Sequence, residues 1–488
     1  MSESKDTKTY EYLSEDPEAN VMPIMISLII GAFFAILNET LLNIALTTLM
    51  KEFSVTLTSV QWMATGFMLV MGIVIPASAL LLQWFTTRQM FLGTMISFTI
   101  GTIICAIAPT FAILLFGRFL QAVGTGLLIP IIFNTFLLLY PPHRRGAVMG
   151  IVGLVIMFAP AIGPTLSGII VEYLGWRFLF ITVIPFALFS IVFAYKYLIN
   201  ISEVTKPKID VLSIVCSTIG FGGVVFGFSS AGSSPAGFLS PISYVPIVVG
   251  GIALLIFSLR QLKLEAPVLD LRVFKYPMYS FGVLLFVIII MMMFASEIIL
   301  PVYMQGPLGL AAATAGILLL PGSLINGLLS PVTGRLFDKY GPRVLMIPAT
   351  ILLSLTILSL TQLHDATPKW VIVISYICLM ISIAAIMMPA ETNGLNQLPK
   401  HLYPHGTAIM TTLQPVSGAI GVSVFISIMN ARQLHYLNNV TNPTSEQAIN
   451  NGLLAGVELV YWIGFIISII AVIMSFFIYR AEPIEEPL

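Results

Sequence analysis

Residues 279–305 read YSFGVLLFVIIIMMMFASEIILPVYMQ, an apolar run broken by a single charge, Glu297. At 1.5 Å per residue a helix of this length covers about 40 Å, more than the ~30 Å of hydrocarbon in a bilayer. No backbone N–H or C=O can stay unpaired in lipid, so the run must be helical. The same reading applies to thirteen further segments and fixes the fold class as an all-α integral membrane protein. The fourteen predicted spans are 22–47, 58–81, 89–108, 110–139, 146–171, 177–199, 210–231, 243–261, 279–305, 312–334, 343–363, 369–396, 405–430 and 456–479.

Composition agrees with a perimeter that faces lipid. Hydrophobic residues make up 58% of the 488 and charged residues 9%, against about 25% charged in a soluble domain. Net charge is zero, which leaves no electrostatic footprint for nucleic acid. Cys105, Cys216 and Cys378 stand alone in apolar runs, and His143, His364, His401, His405 and His435 fall at predicted loops without ligand spacing. No metal site is expected. No GxSxG, paired acids or GxxxxGK[ST] loop is present, so neither an enzyme nor a nucleotide-driven pump is expected, and no cofactor. An ion gradient is the remaining energy source.

Lys and Arg set the orientation, because they accumulate on the cytoplasmic side. With both termini inside, seventeen lie inside and four (Lys51, Arg177, Lys369, Arg432) outside, with Arg118 left within a span. The expected location is the cell membrane, multi-pass. Residues 431–455 read as one long polar outer loop. The layout of the first six spans recurs in the last six, including a Gly- and Pro-rich fifth member in each half: Gly163, Pro164 and Gly168, then Pro415, Gly418 and Gly421. Such repetition marks a transporter whose halves rock about a central site. The expected organisation is a tail (1–21), a six-helix bundle (22–200), a two-helix insertion (201–275), a second six-helix bundle (276–480) and a tail (481–488).

Several stretches resemble known motifs. Gly334-Arg335-Leu336-Phe337-Asp338-Lys339-Tyr340-Gly341-Pro342-Arg343 is similar to a G-x-L-x-D-x-x-G-x-R turn, and Ala79 through Arg88 is a degraded copy with Gln83 in place of the acid. Leu115 through Gly124 carries Arg118, Gly153 through Gly168 resembles an antiporter motif, and Leu37 through Leu46 has Asn38 where an Asp is usual and Glu39 one residue later. Together they resemble the fourteen-helix drug:proton antiporter family of the major facilitator superfamily, the QacA, EmrB and LmrB type of multidrug exporter. The resemblance covers about 22–480 and implies the major facilitator fold.

Physics gives the turn a reading. Gly334 lets two helices approach. Asp338 suits a helix N-terminus, and Arg343 suits a helix C-terminus or a carboxylate. Gly341 completes the motif. Such a latch would hold an outward-open state. Gly163, Pro164 and Gly168 permit close packing or a kink at a moving interface.

Ionisable residues inside spans are costly and therefore functional candidates. Glu39, Arg118 and Glu297 each lie eight residues from an outer helix end, about 12 Å deep, and are expected to form one cluster that couples proton movement to transport. Glu297, Glu39, Met292, Phe294, Asn326 and Glu391 are the expected substrate contacts, the Met and Phe because soft apolar surface adapts to varied ligands. The resemblance implies proton-coupled antiport of small hydrophobic or cationic compounds out of the cell, by a monomer whose partners are those compounds and the lipid bilayer. The competing expectations are a porter for a non-drug metabolite and a sensor that keeps the fold without transport.

Overall fold

The computed structural model describes residues 12–15, 21–55, 57–201, 204–206, 210–233, 237–310, 312–440 and 442–482. Most of both expected tails therefore lies outside the described residues. Among the described residues there is no strand, and fourteen long helices follow one another. The first half holds α1 (Met22–Phe53), α2 (Leu57–Val74, continued through a 3-10 turn into Ser78–Trp84), α3 (Thr87–Ile107), α4 (Phe111–Leu139), α5 (Pro142–Tyr173) and α6 (Phe178–Tyr197). Next come α7 (Val211–Ser233) and α8 (Pro241–Gln261). The second half holds α9 (Pro277–Gln305), α10 (Ala312–Tyr340), α11 (Pro342–Leu360), α12 (Lys369–Asn396), α13 (Tyr403–Leu437) and α14 (Glu446–Phe477). Thirteen of these are apolar and long enough to cross a membrane, and the 32-residue α5 is the fourteenth.

Helix boundaries follow local chemistry. Thr86 and Gln89 cap α3 reciprocally, side chain to backbone in both directions. Gly341 adopts φ +78° between α10 and α11, a conformation that favours glycine. Ser445 caps α14 by accepting from Ala448 N–H. That cap corrects the expected loop at 431–455: α13 runs to Leu437 and α14 starts at Glu446, leaving a short connection. Most of the polar residues there belong to the two helices. His405, expected at a loop boundary, is instead a buried residue of α13.

Packing repeats with an offset of eight helices. The pairs α1–α5, α1–α6, α2–α4, α3–α4 and α3–α6 recur as α9–α13, α9–α14, α10–α12, α11–α12 and α11–α14. The turn arginines repeat too. Arg88 bonds the end of α6 through Tyr195 O, and Arg343 bonds the end of α14 through Ile478 O at 2.5 Å. Between the halves, α5 packs along α10 and α13 along α2. The inserted α7 and α8 pair through close contacts of Gly220, Gly223 and Gly227 with Leu254, Gly250 and Ile247. Small residues permit such approach where lipid offers no hydrophobic drive. Arg260 clamps Asp210 at 2.6 and 2.9 Å and holds its carboxyl down at about 2. α7 then lies against both α2 and α13, with Ser423 Oγ donating to Phe228 O.

The even helix number brings Met22 and Arg480 to one face, which also carries the excess of Lys and Arg; it is called the basic face below.

Candidate functional site

The two halves meet tightly at the basic face. Asp338, in the last turn of α10, accepts from Gly146 N–H at 2.8 Å and Ala147 N–H at 2.7 Å, near the start of α5. Both N–H groups lie towards the positive end of the α5 dipole, which favours a carboxylate. The approach needs glycine on both sides: a Cβ at Gly334 would sit 2.0 Å from Gly146 O. Arg145, fully buried, extends the closure. It donates to Leu137 O (2.7 Å) and Tyr140 O (2.9 Å) at the end of α4, and across the seam to Asn396 Oδ1 (3.0 Å) and Tyr403 OH (3.1 Å). Tyr12 lies against the same guanidinium and against Lys400.

The second seam is closed by different atoms. Gln83, which stands where the first turn copy lacks its acid, bonds His405 Nε2 at 2.9 Å. His405 Nδ1 accepts from Asp270 N–H at 3.1 Å. Gln83 O also accepts from Thr205 and Lys206, which ties the linkers flanking α7 and α8 to this point. These hydrogen bonds between the halves all lie at the basic face. Towards the opposite face the first helices of the halves, α1 and α9, make no substantial contact among the described residues.

Within the membrane the first half offers a buried cation. Arg118 of α4 is 1% exposed. Its Nη1 donates to Asn38 Oδ1 (3.1 Å) and Gln121 Oε1 (2.9 Å), Gln121 is fixed by Thr102 (2.8 Å), and the guanidinium lies 4.2 Å from the Phe67 ring centroid. Among the described residues no carboxylate reaches salt-bridge distance of Arg118. Asn38 takes the bond, and Glu39, one residue on, interacts with Arg118 only through space. Glu39 is half-buried without a hydrogen bond among the described residues. The α5 motif packs directly behind it: Gly163 meets Thr40, and Ser167 Oγ donates to Leu41 O. Gly168 has open space beside it, and Pro164 continues the helix backbone.

Glu297 of α9 is exposed, and its electrostatic neighbour is Tyr376 of α12, which bonds Ser323 of α10 at 3.2 Å. It therefore turns towards α10 and α12, while Ile298, about 100° further round the helix, is 38% exposed. Glu39 and Cys105 are the electrostatic neighbours of Arg118, and Glu39 and Glu297 stand on helices of different halves.

Two expected substrate contacts are enclosed within the second half. Met292 is buried inside the second half, lining a small cavity with Ser296, Phe425 and Tyr461. Asn326 donates to Met380 O at 3.0 Å and joins α10 to α12. The Met run could not reveal which side of α9 each member occupies. Phe294 packs over Gly418 of α13. Glu391 is 3% exposed near the basic end of α12. Sequence reasoning missed Arg145, counted only as a loop charge, and the Gln83–His405 pair. The adjacent Arg144-Arg145 at a helix start was the available signal, since side chains 100° apart on a helix can enter different surroundings. Among the described residues no group of three or more His, Cys, Asp or Glu could hold a metal ion.

The sequence model of the Major Facilitator Superfamily matches residues 28–422. The chain is similar to the lincomycin resistance protein LmrB of Bacillus subtilis (strain 168), with 52% identity over 95% of this chain and 96% of that one. It is 51% identical to LmrB of Listeria monocytogenes, over 94% of this chain and 97% of that one. In fold it is similar to the human organic anion transporter MFSD10 (TETRAN), at 12% identity and a TM-score of 0.63, over 91% of this chain and 99% of that one. With the repeated six-helix packing and the family match across most of its length, the chain belongs to the major facilitator superfamily.

Proposed function

We propose that this transporter is a secondary active multidrug exporter that exchanges protons for small hydrophobic or cationic compounds by alternating access. The basic face lies in the cytoplasm of the cell membrane, and lincomycin, named in two relatives, is the first compound to test. The observation that carries the reading is the asymmetric closure: the halves are latched at the basic face while Glu297 is exposed from α9. A carboxyl reached by the outer water and then by the inner water takes up a proton on the more acid side and loses it on the other, and a cationic compound competes for the ionised form. Glu297 and Glu39 take protons from the outer water and drop the compound there. Reversal of the closure delivers the protons inward and loads the next molecule. Arg118, held by neutral ligands, keeps positive charge beside Glu39 and biases it against holding a cation and a proton together.

The test is resistance in a pump-deficient bacterium expressing the gene, with and without a protonophore, together with drug-driven proton release from vesicles. Glu297→Gln and Glu39→Gln should each impair exchange. Full exchange in both variants, or resistance indifferent to the protonophore, would refute the proposal.

A further inference from the structure

Glu391 is unlike the other acids of the chain. It sits five residues before the end of α12 at the basic face, yet it is 3% exposed, and the residues around it, Thr392, Asn393 and Asn396, are equally enclosed. The two asparagines are both engaged, Asn393 with Tyr479 O and Ala481 N–H, and Asn396 with Arg145. Glu391 has no hydrogen bond or ion pair among the described residues, and its electrostatic neighbour is the buried Tyr279 of α9. Its direction follows from the helix. Met388, one turn earlier, packs against Gly153 of α5 in the other half, and Gly394, nearly one turn later, packs against Tyr279 and Met410. Glu391 therefore points at the seam between the halves, beneath the closure formed by Asp338 and Arg145.

An ionised carboxylate with no partner in such an enclosure costs several kcal/mol. Opening the basic face removes the closure and admits water to the carboxyl. We infer that Glu391 is a further titrating carboxyl that exchanges its proton only with the aqueous phase on the basic face, and so sets the dependence of export on cytoplasmic pH. Tyr376, beside Glu297, and Glu391 are fifteen residues apart on α12, about 22 Å along the helix axis. The second half thus has an acid open to one side in this conformation and another reserved for the other side. The step is one proton lost from the Glu391 carboxyl to inner-face water and regained before closure. The inference rests on the proposed proton-coupled export.

The experiment uses the full chain in proteoliposomes of known orientation. Lincomycin counterflow without a pH gradient reads transport competence; lincomycin-driven proton release reads coupling, with pH varied on the basic face and fixed on the other. Glu391→Gln should lose the basic-face pH dependence of lincomycin-driven proton release, and Glu391→Asp should restore it. Unchanged pH dependence in Glu391→Gln would overturn the inference. Loss of counterflow that Glu391→Asp does not restore would also overturn it, by marking a packing role. Absence of any lincomycin-driven proton release in the unaltered chain would instead refute the export reading itself, and the inference with it. Should neither variant fold, carbodiimide labelling with the native acid in place decides: Asp338→Ala, which opens the seam, should expose Glu391 to a reagent that attacks protonated carboxyls, with labelling falling as basic-face pH rises. No labelling at any pH would overturn the inference.

Discussion

Replacing Asp338 with alanine removes two hydrogen bonds that exist only while the basic face is shut, at 2.8 and 2.7 Å to Gly146 and Ala147. Bonds to a charged acceptor contribute ~1.5–3 kcal/mol each, net of hydration. Asp338 is half-buried, which argues for the lower end of that range. Together the pair stabilises the closed seam by about 3 kcal/mol, so the variant should shift the equilibrium towards the opened basic face by ~150-fold. The shift can be read at Met388, 3% exposed and packed against Gly153 across the seam. With Cys105, Cys216 and Cys378 replaced and Met388→Cys introduced, alkylation by an impermeant maleimide from the basic face is proportional to the fraction open. The Asp338→Ala background should accelerate it by up to that factor, and Asp338→Asn, which keeps one acceptor oxygen, by less. A change below about threefold would show that the latch contributes little.

Three further outcomes follow from neighbouring atoms. Gly334→Ala places a methyl group 2.0 Å from Gly146 O, so the seam cannot close; export should be lost and Met388→Cys alkylation should rise as in Asp338→Ala, and retained export would refute the packing argument. Arg118→Ala strands Asn38 and Gln121 and removes the charge beside Glu39, so export should be abolished at normal expression; unimpaired export would reduce Arg118 to a packing residue. His405→Phe deletes the bonds to Gln83 and Asp270 N–H, so proteolysis of the 262–276 linker from the basic face should accelerate at least severalfold, and an unchanged digestion pattern would count against the pin.

The spans were legible because lipid imposes one demand on every backbone group, and a run such as 279–305 can meet it only as a helix. The 334–343 turn was legible because its glycines and charges are spaced for helix ends. Azimuth was not: the sequence shows three methionines at 291–293, but only packing against α13 and α14 shows that Met292 faces the interior of one half. Partners distant in sequence were hidden as well. Nothing local to Arg145 announces Asn396 or Tyr403, and nothing local to Gln83 announces His405, because each pair is brought together by two bundles meeting. Equal depth groups Glu39, Arg118 and Glu297, but depth fixes only one of three coordinates, and Asn38 rather than an acid holds the guanidinium.

The placement of α7 makes the two flanks of the molecule unequal. Where α2 meets α13, an extra helical wall stands between the bilayer and the inter-bundle cleft; where α5 meets α10, no such screen exists among the described residues. The bilayer therefore meets two different junctions: one roofed by a third helix, and one where α5 and α10 keep lipid out by their own close packing alone, so that any parting of the two halves is felt by lipid on that flank first.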